Sequence, residues 1–138
     1  IDSAVLSMYG EIKALDIPAI HLAAASLAST ADVVAGDFDG ISRTTFGNIV
    51  IGSWTDEVYN AITLNASGLT NINKTGISQF SSQGSQDINN TTPTWVSGTN
   101  NYIFFYSADT AGTTKDPKLV VQYTAAAVAA ATSYSYFL

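Results

Sequence analysis

The chain reads as an all-β protein: an antiparallel β-sandwich, jelly-roll-like, with one short helical turn. Three observations lead there. Short apolar runs bounded by turn residues recur along the chain, about seven in all at roughly 10- to 20-residue spacing. Within several of them apolar and polar residues alternate, the period of a strand with one wet face. No regular alternation of strand with helix is present, which disfavours a doubly wound parallel sheet.

The strands follow in order. Ser3 to Leu15 places Leu6, Met8, Gly10 and Ile12 on one side and Ser7, Tyr9, Glu11 and Lys13 on the other. Gly10 and the serines weigh against an amphipathic helix there. Pro18 to Ala28 is alanine-rich, which favours a helix, but Ile20, Leu22 and Ala24 at spacing two after Pro18 favour a strand, and strand is the reading adopted. Ser29 to Gly40 is loop with a helical turn, since Asp37-Phe38-Asp39-Gly40 is turn chemistry. Thr44 to Trp54 carries Ile49, Val50 and Ile51 and reads as a strand ending near Gly52. Tyr59 to Asn65 is another, with Ile62 and Leu64 inward. Ser67 to Lys74 is the helical turn, with Leu69 and Ile72 one turn apart. Gly76 to Ser81 alternates Ile77 and Gln79 against Ser78 and Phe80, a strand pattern. Gln83 to Asn100 is rich in Ser, Asn, Thr and Gly and reads as a long loop carrying Trp95. Tyr102 to Tyr106 and Leu119 to Tyr123 are the most apolar runs; they read as two paired strands, the second opened by Pro117, which fits a strand start or edge.

This divides the chain into a sandwich domain, residues 1–124, and a different tail, residues 125–138. The tail opens with a small-residue spacer, Ala125 to Ala131, and ends in Thr132-Ser133-Tyr134-Ser135-Tyr136-Phe137-Leu138. Tyr134, Tyr136 and Leu138 alternate with Ser133, Ser135 and Phe137. An apolar, β-prone terminal segment of this kind is expected to bind something.

Composition narrows the function classes. Hydrophobic residues are 46% and charged ones 12%, so the surface must be built from Ser, Thr, Asn and Gly. That balance suits a secreted, cell-surface or virion-exterior β protein better than a cytosolic enzyme. The net charge is −6, and the five cations, Lys13, Arg43, Lys74, Lys115 and Lys118, form no run. Nucleic acid and anionic membrane surfaces are therefore poor partners. No apolar stretch has the length of a membrane-spanning helix, so membrane insertion is not expected. There is no cysteine, which removes disulfides, thiolate metal sites and Cys nucleophiles. The chain begins IDSAVL, with neither Met nor a basic segment, so Ile1 is read as a processed end, the start of a fragment, or the first ordered residue.

Catalysis has little to stand on. His21, the one histidine, lies in an alternating apolar segment, where such a residue is more often structural. No G-x-S-x-G elbow exists, and the neighbouring acids Asp37/Asp39 and Asp56/Glu57 fit turns or solvated charges better than a glycosidase pair across a cleft. No enzyme activity and no cofactor are expected. Calcium is the weak exception, with Asp37, Asp39 and Asp109 as hard oxygen ligands outside any EF-hand pattern. Polysaccharide is an alternative partner: Trp54, Tyr59, Trp95 and Tyr102 are candidates to stack on sugar rings, against the plainer reading that both tryptophans close the core. Sequons begin at Asn65, Asn73, Asn89 and Asn90 as candidate glycosylation sites.

The segments IDSAVLSMYG, WTDEVYNAITLNASGLTNINKTGISQF and YIFFYSADTAGTTKDPKLVVQYT follow one another in an order similar to that of the β-sandwich modules called disaggregatase-related (DNRLRE) domains, and of related carbohydrate-binding modules. The ending S-x-D…D-P-K-L-V-V-x-Y is the most specific element, and LNASGLTNINKTG the next. The resemblance spans most of residues 1–124 and omits the tail. It implies a sandwich found on cell surfaces, in secreted proteins, beside polysaccharide-active enzymes and in phage structural proteins, with no catalytic motif to carry over. It also implies that an earlier strand precedes a segment like IDSAVLSMYG, so the sandwich here is expected to have an open edge. The expected function is then a structural subunit that joins copies of itself into a fibre or appendage by strand donation, through Tyr134, Tyr136, Phe137 and Leu138.

Overall fold

The computed structural model describes residues 1–14, 18–29, 34–94, 97–98 and 102–125. The tail segment holding Tyr134, Tyr136, Phe137 and Leu138, and also Trp95, lie outside the described residues. The fold is mostly β, with two antiparallel sheets facing each other, as the alternation predicts.

One sheet is built on β1 (Ser3–Ala14), whose first edge carries β4 (Tyr59–Thr63). Its second edge is shared by β6 (Tyr102–Phe105) and β7 (Lys118–Gln122). β6 lies against Gly10–Ala14 and β7 against Ser3–Ser7. These last two strands are thus not paired with each other, contrary to the sequence reading. They run in one direction, end to end along β1, and residues 107–117 leave the sheet between them. Each is short and apolar, and each finds a full partner in a strand long enough for both. The second sheet has β2 (Ala19–Ala25) between β3 (Ile41–Val50) and β5 (Phe80–Gly84).

The two sheets meet most closely where β3 approaches β4. Asn65 N donates to Phe46 O, and a Cβ on Gly47 would stand 2.4 Å from the Thr63 carbonyl oxygen, so only glycine permits that approach. β5 and the β6/β7 line therefore form the opposite margins of their sheets. The core between them holds Ala4, Met8, Leu22, Phe46, Trp54, Ile62 and Leu64. Phe80, Ile103, Phe105 and Val121, all from the far margin, pack on it only partly buried.

Several local expectations shift. In β1 a bulge between Gly10 and Ile12 adds one residue and exchanges the faces beyond it. Ile12 turns outward, and Lys13 turns inward, where its ammonium donates to Ile51 O at 3.2 Å and to Trp54 O. β3 starts at Ile41 and stops at Val50, because residues Ile51–Ser53 turn into a 3-10 helix that buries Ile51 and leads into buried Trp54. The strand expected at Gly76–Ser81 forms instead at Phe80–Gly84. Before it, Asn73 and Ser78 cap backbone amides in a turn that leaves Ile77 exposed. The helical turn α1 (Ala66–Asn71) begins at an N-cap, Asn65, that accepts from Gly68 N. A second helix, α2 (Ser85–Asn89), interrupts the segment read as a long loop. It is closed by Asn90 in the left-handed region (φ 52°), which asparagine tolerates.

Candidate functional site

The sequence-selected residues do not converge on a catalytic centre. His21 Nε2 lies 3.2 Å from Ser85 Oγ, and the Ser85 hydroxyl donates to Ala19 O at 3.1 Å. With its proton committed to a carbonyl, that hydroxyl accepts from the ring, so His21 is not placed to act as its base. Burial pushes the imidazole below its usual range, favouring the neutral ring. Asp37 is buried, and its two carboxylate oxygens accept from Val34 N and Ala28 N, each at 2.9 Å. Those amides, Val34 first, hold its carboxyl below the ordinary carboxylate range against the opposing effect of burial. The carboxylate closes the 28–40 loop. Asp39 is exposed beside it, and Asp109 belongs to the 107–117 excursion of the other sheet. Among the described residues no group of three or more His, Asp or Glu side chains stands close enough to hold a metal ion, so the three aspartates are not brought together as a calcium site.

The aromatic set also divides. Trp54 is 1% exposed and offers no face to a sugar ring; it closes the core, with Nε1 against the bare backbone of Gly10. Tyr59 does lie on the outer face of the β1 sheet, but it is already engaged. Its ring meets Tyr9 edge-on at 5.2 Å, and Tyr9 meets Tyr106 at 5.7 Å. The Tyr59 hydroxyl lies 2.8 Å from Thr114 O and 3.0 Å from Asp116 O. Lys118 Nζ stands 3.8 Å from the Tyr59 ring centre, and Lys115 Nζ stands 4.0 Å from that of Tyr106 while pairing with Glu57 at 3.4 Å. The Tyr106 hydroxyl, then burial in the opposite sense, then Glu57 set the Lys115 pKa, with a net rise. These contacts clasp the 107–117 excursion to the sheet and fix where β7 begins. Tyr102 stacks on exposed Phe104, ring centres 5.0 Å apart, at the other end of the same sheet line.

Of the sequons, Asn65 is used as a helix cap and donates to Thr45 O, Asn73 Oδ1 accepts from Thr75 N, and Asn90 Oδ1 accepts from Arg43. Asn89 is exposed at the end of α2.

What composition could not show is the state of β7. Among the described residues its only strand partner is β1. Gly10 N and Ala4 O hydrogen-bond toward β4, so the odd-numbered residues of β1 turn toward β7. Their partners Lys118, Val120 and Gln122 use the inner edge. Leu119 and Val121 consequently direct their N–H and C=O groups to the outer edge, which has no strand partner among the described residues. Leu119 is 38% and Val120 58% exposed, and Tyr123, just beyond the strand, is more exposed still. A solvent-exposed apolar edge strand is a template for another strand. Comparison with protein-family models, curated proteins and solved structures gives no match.

Proposed function

We propose that the protein is a non-catalytic structural subunit of an extracellular or virion-surface assembly, polymerising by β-strand exchange between copies. The free edge of β7 is the acceptor and residues 132–138 of a neighbouring copy are the donor. The observation that carries this reading is the apolar edge of β7, which has no outer partner among the described residues, with Leu119 and Val121 offering backbone groups and half-buried core residues at the same margin. The donor pattern suits it: if residues 132–138 pair as a strand, the spacing of Tyr134, Tyr136 and Leu138 in the sequence would put them on one face, extending the core cover that Leu119 and Val121 leave incomplete. A seven-residue strand reaches about 23 Å, enough to run the length of β7. Donation of one copy's tail to the next is heterologous and non-closing, so it makes filaments.

Two variants test it by negative-stain electron microscopy and light scattering. Deletion of residues 126–138 removes the donor. Leu119→Pro removes one outward N–H of the acceptor and no bond to β1. Intact protein is expected to form filaments, and both variants are expected to stay monomeric with β circular dichroism retained. Filaments that persist in the deletion variant, or an intact protein that stays monomeric at high concentration, overturn the reading.

A further inference from the structure

The 107–117 excursion ends in a bend at Asp116, and β7 begins two residues later with Lys118 paired to Ser7. On the near side of the bend the Tyr59 hydroxyl lies 2.8 Å from Thr114 O and 3.0 Å from Asp116 O. That hydroxyl has a single proton, so the two carbonyls share it. The peptide bond leaving the Asp116 carbonyl is the bond to Pro117. It is thus fixed between a pinned strand and a clasped loop, with an O–H donor on its carbonyl oxygen.

The Asp116 side chain completes the arrangement. Its Oδ1 is shielded from solvent and, among the described residues, accepts no hydrogen bond. Lys115, its chain neighbour, pairs with Glu57 at 3.4 Å, and Lys118 Nζ stands 3.8 Å from the Tyr59 ring centre. A shielded carboxyl oxygen left bare costs the fold stability and returns nothing to it. Chemically it is a nucleophile with its lone pairs free. Attack on the residue's own carbonyl carbon closes a five-membered ring, an intramolecular step with a high effective concentration. Negative charge then builds on Asp116 O, and the Tyr59 proton can move wholly to it from Thr114 O. Proline supplies the leaving group, because its tertiary amide nitrogen is more basic than an ordinary peptide nitrogen and takes a proton more readily.

We propose that the chain cuts itself once, between Asp116 and Pro117, through a cyclic anhydride at Asp116. The bond from Oδ1 to the carbonyl carbon forms and the C–N bond breaks. The C–N electron pair goes to the Pro117 nitrogen, which takes a proton from solvent. Water then opens the anhydride and leaves Asp116 with two free carboxyl groups at a new chain end. The net change is hydrolysis of one peptide bond, with no oxidant, reductant or cofactor. β7 stays on β1 through its pairing, so residues 117–138 become a separate peptide held in place by the sheet. The cut is independent of strand exchange. The test incubates the full chain in mildly acidic buffer, native and unfolded in urea, and follows it by intact mass spectrometry. Native protein is expected to yield fragments 1–116 and 117–138 about tenfold faster than the unfolded chain. A dedicated oxyanion donor gives about a hundredfold or more, and here the proton is shared. Tyr59→Phe keeps the ring against Tyr9 and Lys118, and is expected to cut at the unfolded rate in both states. Asp116→Ala is expected to stay whole, and hydroxylamine added to the parent is expected to leave a hydroxamate on fragment 1–116. A native chain that stays whole or is cut no faster than in urea would overturn the assignment. So would Tyr59→Phe cutting at the parent rate, Asp116→Ala being cut, or fragments without the hydroxamate.

Discussion

Asn60 is the buried polar residue on which the approach to β4 depends, and Asn60→Ala measures what it holds. Its side chain is 4% exposed, and all its bonds go to backbone. Oδ1 accepts from Thr55 N at 2.8 Å, while Nδ2 donates to Thr55 O at 2.8 Å and to Val58 O at 3.1 Å. The amide thereby stands in for a strand partner at Thr55, while Glu57 N and Val58 O bond to Gly10 of β1. It also sits against Gly10, where a Cβ would lie 3.0 Å from Nδ2 and 2.6 Å from Trp54 Nε1. Truncation removes three hydrogen bonds at about 1 kcal/mol each and leaves part-buried groups of Thr55 without a partner, so the loss is about 3 kcal/mol. For a domain of this length that lowers Tm by about 10 °C, read by differential scanning calorimetry. Because Val58 precedes Tyr59, whose hydroxyl clasps the 107–117 excursion, amide exchange in that excursion should quicken as well. A Tm within about 3 °C of the parent would refute the argument, since it would mean that solvent replaces all three bonds without cost.

Two further outcomes follow from the same geometry. Gly47→Ala forces a methyl group against the Thr63 carbonyl at the junction of the sheets, and the resulting shift should cost about 1–3 kcal/mol in a urea melt; an unchanged midpoint would show that the sheets separate freely there. Acid should weaken the fold in two stages of one sign, because both His21 and Asp37 have folded pKa values below their ordinary ones. The His21 contribution is complete above its ordinary value of 6.5 and is lost as pH falls through its lower folded value; that of Asp37 is complete above 3.8 and is lost on further acidification. In His21→Gln, melts taken across this range should lose the first decline and keep the second.

Much of the fold was legible because a strand's side-chain alternation is local. The period of two placed β1 and β2, put Ile62 and Leu64 inward in and just after β4, and opened β7 after Pro117. The Leu69–Ile72 pair marked α1, whose cap, Asn65, the sequence reading places at the end of the preceding strand. α2 was missed although Ser85 and Asp87 are helix-start residues and Asn90 is a helix-end residue, because the polar stretch around them carries too little apolar periodicity to declare a helix. The candidate site was less legible. Tyr59 and Tyr102 were singled out as stacking candidates, but nothing near Tyr59 in the chain says that Lys118 covers its ring, whereas Phe104 lies two residues from Tyr102 on the same strand face.

Composition and alternation by themselves determined an all-β chain, a surface poor in charge, and which residues of most strands face inward. Only the tertiary structure decided which strand lies beside which. It set β6 and β7 end to end on β1, exchanged Ile12 and Lys13 at a bulge, and brought Tyr59 to the Asp116 carbonyl from a distant part of the chain. The reason is physical. Alternation reports the face a side chain turns to, which the backbone dictates residue by residue. Pairing is settled by the free energy of competing edges, and that sum exists only once the whole sheet is assembled.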